Sequence, residues 1–211
     1  MKKLLIPSLL LVLASCVKTE PSPGPGDSPY ALWPIQPGNR WIYQDSTFNG
    51  PSAFSGTYPD TVTITSSSVE AGGLMYYGVS DPYGWFGANG YVAVDPYNTT
   101  ILEMDDVNDY PYVFFALVPS DGYLIGTDQD FSNPTCVVTY SQYGQAWPVT
   151  VGAYSCYENV GYSVDCSGVT REVIVYYVSE GVGVVRIEDY VTDGTGALYL
   201  DYSQTLRSYN L

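Results

Sequence analysis

Apolar side chains recur at every second position over much of this chain, a spacing that builds sheets and leaves no stretch from which a helical core can be made. Thr61-Val62-Thr63-Ile64-Thr65 alternates strictly, and residues 90–95, 171–178 and 196–202 do so approximately. A core-facing helix needs its apolar residues at a period of 3.6, whereas a half-buried strand needs them at two. No window of a dozen residues carries a clean amphipathic helix. Strands are predicted near 39–48, 60–68, 73–79, 89–95, 99–104, 112–117, 135–142, 146–151, 154–161, 170–178, 183–191 and 196–208. Hairpins are expected at Ala71-Gly72-Gly73, Ala88-Asn89-Gly90, Ser179-Glu180-Gly181 and Thr192-Asp193-Gly194-Thr195-Gly196, which contain residues that tolerate positive φ. Short strands separated by turn signals make this an all-β chain: a single antiparallel sandwich, or a strongly curved, half-barrel sheet. The 22 tyrosines fit that class, because an aromatic ring fills a pleated face and leaves its hydroxyl at the surface.

The first thirty residues have a different character. Met1-Lys2-Lys3 precedes an apolar run to Leu13, and the small residues Ala14-Ser15 precede Cys16. Charge, apolar run and small residues before a cut form an export signal. The run is shorter than the roughly 20 residues needed to cross a bilayer. Leu13-Ala14-Ser15-Cys16 resembles the lipobox of bacterial lipoproteins. That resemblance implies that residues 1–15 are a signal peptide and that Cys16 carries the acyl chains. Residues 16–30, rich in Pro, Gly and Ser, read as a flexible tether. Residues 31–211 then form a single all-β domain, lipid-anchored in the cell envelope with the outer membrane as its expected site. Which leaflet it faces stays open.

Charge and composition exclude several kinds of function. Without Lys2 and Lys3 the chain keeps five Lys and Arg against 22 Asp and Glu, a net charge of −17. Such an excess repels nucleic acid and anionic lipid. The chain has no His, which removes Ser-His-Asp and Cys-His nucleophile systems and His-ligated metals.

Three segments together carry a further resemblance. Trp33-Pro34-Ile35-Gln36-Pro37-Gly38-Asn39-Arg40-Trp41-Ile42-Tyr43 resembles the opening of a group of uncharacterised, exported, β-rich bacterial lipoproteins found notably in Bacteroidota. Gly181-Val182-Gly183-Val184-Val185-Arg186-Ile187-Glu188 is similar to that group's strand near the C-terminus, and residues 149–157 to its middle strand pair. The group has Pro-Ala-Gly where this chain has Gly152-Ala153. The resemblance implies a curved antiparallel sheet and a membrane anchor, and no activity. In its own right, Gly38-Asn39 reads as a turn opening a strand, with Trp41 and Tyr43 on one face of it. Trp33, Trp41 and Trp147, beside Pro or turn residues, read as core or edge cover. The scarce arginines are expected to pair with carboxylates, Arg186 with Glu188 two residues along the same face.

After lipidation Cys136, Cys156 and Cys166 remain, and an oxidising compartment favours one bridge with one thiol left over. If Glu158 to Tyr162 is a hairpin, Cys156 and Cys166 face each other, so that pair is the expected disulfide. The odd thiol, with no neighbouring base, reads as buried and inert. Asp128-Gln129-Asp130-Phe131-Ser132 has the alternating oxygens of a calcium loop, with Asp128, Asp130 and Ser132 as the candidate ligands. Asn133 stands where such a loop requires Gly, and Thr139 where it requires Glu, so a solvated acidic loop is the competing reading. No other cofactor is implied. Tyr83, Trp85 and Phe86 sit in a loop-like segment between glycines. Flat rings there suit stacking on a sugar or docking on an envelope protein, unless they tuck back over the sheet. The functional expectation is non-catalytic glycan or protein binding. The alternatives are a structural or assembly component of an envelope complex and a carboxylate-dependent hydrolase using Asp105, Asp106 or Asp109.

Overall fold

The computed structural model describes residues 33–51, 53–81, 90–95, 100–106, 112–116, 123–130, 133–144 and 148–211, with backbone alone for 112–116, 123–130, 133 and 134. Among these are thirteen strands: β1 (Arg40–Phe48), β2 (Phe54–Ala71), β3 (Leu74–Ser80), β4 (Tyr91–Asp95), β5 (Thr100–Met104), β6 (Tyr112–Ala116) and β7 (Tyr123–Asp130), then β8 (Asn133–Gly144), β9 (Val149–Val151), β10 (Tyr154–Val164), β11 (Thr170–Ser179), β12 (Gly183–Thr192) and β13 (Leu198–Asn210). They form one antiparallel sheet in the order β6-β5-β4-β3-β2-β1-β13-β12-β11-β10-β8-β7, with β9 paired to the start of β10. Two meanders, β1 to β6 and β7 to β13, are joined by the ladder between β1 and β13. The sheet is not closed into a barrel. Its edge strands β6 and β7 are consecutive in the chain and their Cα atoms come within 8 Å, yet no ladder joins them among the described residues.

The sheet curls until its two halves pack on each other. One buried cluster holds Val92 and Val94 of β4, Ile101 of β5, Trp41 and Tyr43 of β1, Val178 of β11 and Val184 and Ile187 of β12. β5 and β11 are seven strands apart in the sheet, so only a fold-back brings them together. Register shifts at Ile42/Tyr43, Tyr177/Val178 and Asp189/Tyr190 supply the bend, because each bulge kinks its strand and increases the twist. The residues before β1 cover one end of the curl. Trp33 is 1% exposed, stacks edge-on to Trp41 at 6.2 Å and lies over Gly183. Gly38 N donates to Ile64 O and Ile64 N to Asn39 O, so Gly38-Asn39 opens β1 as expected.

The first and last of the three resembling segments lock together. Trp41 Nε1 donates to Val182 O at 2.6 Å and Tyr43 OH to Val184 O at 2.9 Å. Val182 lies in the turn before β12 and Val184 in its first residues, beside the register shift between Tyr177 and Val178. The middle segment adds Cys156 to the same core, with Val149, Val151 and Tyr154 packed against it.

Three expectations are corrected. The disulfide joins Cys136 to Cys166, Cα to Cα 5.2 Å, and Cys156 is the free, buried thiol. Glu158 to Tyr162 is no hairpin: it lies inside β10, with Gly161 opposite Ile174. Cys156 and Cys166 therefore lie ten residues apart along a strand and its exit, roughly 30 Å at about 3.3 Å per residue, far beyond the reach of a bridge. The turn follows at Asp165, whose Oδ1 accepts from Ser167 N at 2.8 Å and Val169 N at 3.0 Å. The second correction is that Asp128 and Asp130, read as part of a loop, lie in strand β7. Third, β2 begins at Phe54, six residues earlier than expected. Arg186 pairs with Glu188 at 2.5 Å and Arg171 with Asp165 at 3.2 Å.

Candidate functional site

The concave face changes character along its length. Near the end covered by Trp33 it is apolar; toward the opposite end the same inward stripes finish in carboxylates. In β1 the inward series is Trp41, Tyr43, Asp45, and in β2, read from the same end, Ile64, Val62, Asp60. In β12 Ile187 leads to Asp189, and in β11 Tyr176 and Ile174 lead to Glu172. Cross-strand register aligns these series: Tyr43 faces Asp60, Asp45 faces Gln204, Gln204 faces Ile187 and Ile187 faces Tyr176.

Two acidic groups result. In the first, Asp60 is 1% exposed and well satisfied, its Oδ1 accepting from Thr61 N at 2.7 Å and its Oδ2 from Gln204 Nε2 at 3.3 Å. Asp45 is fully buried, with Tyr202 and Gln204 as its polar neighbours. Burial raises its pKa to about 6. Asp60 adds to the rise, and Tyr202 and Gln204 offset part of it. Burial and the carboxylates of Asp81, Asp60 and Asp45 push the Tyr43 phenol well above its ordinary value, which keeps it a hydrogen-bond donor. In the second group, burial and then Glu172 and Asp201 push Asp189 to about 7. Burial raises Glu172 as well. Tyr176 is raised by burial and by Glu172, Asp189 and Glu103, so β5 contributes a charge to this group from across the curl. Among the described residues no three His, Cys, Asp or Glu side chains converge to hold a metal ion.

Beside the second group lies a cavity of about 120 Å³ lined by Tyr140, Ser141, Gly161, Tyr162, Ser163, Glu172, Ile174 and Tyr176. Gly161 makes the room: a Cβ built there meets nothing nearer than Ile174 O at 3.7 Å. Asn159, cross-strand from Tyr176, is 1% exposed with neither amide atom hydrogen-bonded.

The sequence-predicted candidates fall elsewhere. Cys16, Tyr83, Trp85, Phe86, Asp109 and Ser132 lie outside the described residues. The backbones of Asp128 and Asp130 are in β7, opposite Val138 and Asn133. Asp105 and Asp106 are exposed in a bend after β5. The base of segment 82–89 is well defined: Val79 N donates to Gly90 O at 2.8 Å, and Asp81 is 1% exposed. β3 runs in the same direction as β1, and its C-terminal Ser80 lies level with Thr63 and so with Arg40 at the start of β1. Sequence reasoning missed the inward carboxylates, although period two alone puts Asp45 on the face of Trp41 and Tyr43.

No family model matches the sequence, and no curated protein does. Among solved structures, the fold is similar to that of a candidate exported protein with a YmcC-like fold from Bacteroides fragilis, at 12% identity and a TM-score of 0.40, over 83% of this chain and 97% of that one. It is also similar to a candidate lipoprotein from Parabacteroides distasonis, at 11% identity and a TM-score of 0.35, over 85% of this chain and 98% of that one.

Proposed function

We propose that this chain is a membrane-tethered, non-catalytic binding protein of the cell envelope, which contacts a glycan or a partner protein through Tyr83, Trp85 and Phe86. The observation that carries the reading is the closed base of segment 82–89: the Val79 to Gly90 hydrogen bond and the buried flanks fix where an aromatic-rich segment leaves the sheet. Binding residues on a connection held by a rigid scaffold have little ordering entropy to lose. The non-catalytic reading rests on what the chain lacks in imidazole and thiolate chemistry: it has no His, and burial lifts the free Cys156 thiol to about 11, so neither an imidazole base nor a thiolate nucleophile is at hand near neutral pH.

Affinity electrophoresis of the mature chain through gels holding a panel of polysaccharides, with and without calcium, tests the reading. Retardation on one glycan, lost in Trp85→Ala with an unchanged unfolding midpoint, is the expected result. Calcium dependence would bring in Asp128 and Asp130. A midpoint several degrees lower with unaltered retardation would make Trp85 a packing residue and remove the proposed contact.

A further inference from the structure

The cavity over Gly161 differs from the 82–89 segment in place and in chemistry. It is lined by residues of β8, β10 and β11, with Tyr140 and Tyr176 beside Glu172 and Ser163 over a floor that has no side chain at Gly161. We infer that this cavity is a binding site for a small organic cation, an ammonium group held between Glu172, the nearby Asp189 and the two tyrosines.

Four observations point there. Every charge acting on Tyr176 is negative, from Glu172, Asp189 and Glu103, and the charges acting on Asp189, from Glu172 and Asp201, are negative too. Like charges held close in a partly dry site favour the uptake of a cation. Second, the ion pairs of Arg171 and Arg186 go to Asp165 and Glu188, outside this group. Third, two buried polar groups beside Tyr176 are unsatisfied: both amide atoms of Asn159, which is 99% buried, and Oδ1 of Asp189. Buried polar atoms are rarely left so, and an orphaned one marks a place where a ligand or water belongs. Fourth, the volume is right. A cavity of about 150 Å³ accepts benzene, so the roughly 120 Å³ here suits a group of about five heavy atoms. A metal ion fits poorly, since no three ligands converge. An ammonium group needs no such convergence: one or two carboxylates and the faces of aromatic rings attract it.

The chemistry has two sources, a free quaternary amine and the side chain of a lysine in a partner. Titration calorimetry of the mature chain with tetramethylammonium chloride and, separately, with Nα-acetyl-lysine-N-methylamide distinguishes them, with sodium chloride at matched ionic strength as the blank. Saturable binding of either compound is expected, weakened at least tenfold in Glu172→Gln and in Asp189→Asn. Gly161→Val supplies a steric check, because it fills the floor and changes no charge; it should abolish binding and leave the unfolding midpoint within a few degrees. Binding of the first compound alone identifies a quaternary amine, and of the second alone a lysine side chain. No saturable heat with either compound, or equal affinity in all three variants, overturns the inference. Polysaccharide retardation should be unaffected by these variants, so the two readings fail independently.

Discussion

Gly183 is the position where a single methyl group would do most harm. Its φ is +95°, and a Cβ there would lie 2.7 Å from Nε1 of the buried Trp33 and nearer still to Cδ1. Gly181 also has positive φ, +71°, but open space around it. The two glycines separate backbone strain from collision. Gly181→Ala should cost about 1–2 kcal/mol, the left-handed penalty alone. Gly183→Ala adds overpacking against an indole that has nowhere to go, for a total of about 2–5 kcal/mol. Urea unfolding of both variants checks this, and equal midpoints would mean that Trp33 yields and does not hold the covered end of the curl. At this scale much was legible. Trp41, Tyr43 and Asp45 are two apart, so alternation places a carboxylate on the apolar face of β1. What was not legible is the group it faces, because Gln204 is brought to Asp45 only by the ladder between the first strand and the last.

The element that best shows what holds the chain in register is the turn after β10, with its disulfide. Asp165 accepts backbone donors from Ser167 and Val169, Gly168 takes φ +77°, and Cys166 is thereby presented to Cys136 at the start of β8. Asp193 does the same between β12 and β13, accepting from Thr195 N and Ala197 N with Gly196 at +85°. Closing a loop across a sequence separation of 30 stabilises by about 3–4 kcal/mol on the chain-entropy account. Cys136→Ser should therefore lower stability by about that much, and non-reducing peptide mapping should recover Cys136 linked to Cys166. Cys156 should react with an alkylating reagent only after unfolding. A Cys156 to Cys166 peptide would contradict the register of β10. The turn was hard to read because Gly161 looked like its centre, whereas it is a strand glycine that leaves room over the sheet. β7 escaped for a related reason. Gly126, Asp128 and Asp130 are poor strand formers, but on an edge strand acidic residues discourage pairing with another molecule. Context, here the outermost place in the sheet order, overrides propensity.

For the whole molecule, the grading of the concave face from apolar to acidic predicts how stability depends on pH. In the unfolded chain Asp and Glu titrate near pH 4. In the fold, burial and neighbouring carboxylates hold Asp45 near 6 and Asp189 near 7, and burial raises Glu172. From about pH 4 to 7 the folded state thus keeps protons that the unfolded state has lost, and stability must fall as pH rises through that window. Asp165 and Asp193 act in the opposite sense. Hydrogen bonds from Val169 and Thr195, the largest influences, lower their pKa values, so their contribution is present above pH 4 and lost in stronger acid. The melting temperature should therefore be higher at pH 5 than at pH 8 and drop again below about pH 3. Repulsion among the surface carboxylates slopes the same way, but salt screens exposed charges far more than buried ones. A slope that persists in 0.5 M sodium chloride and flattens in Asp189→Asn belongs to the concave face. One that vanishes in salt and is untouched by the substitution would place the titrating groups on the surface, and the acidic end of the curl would have to be open to water.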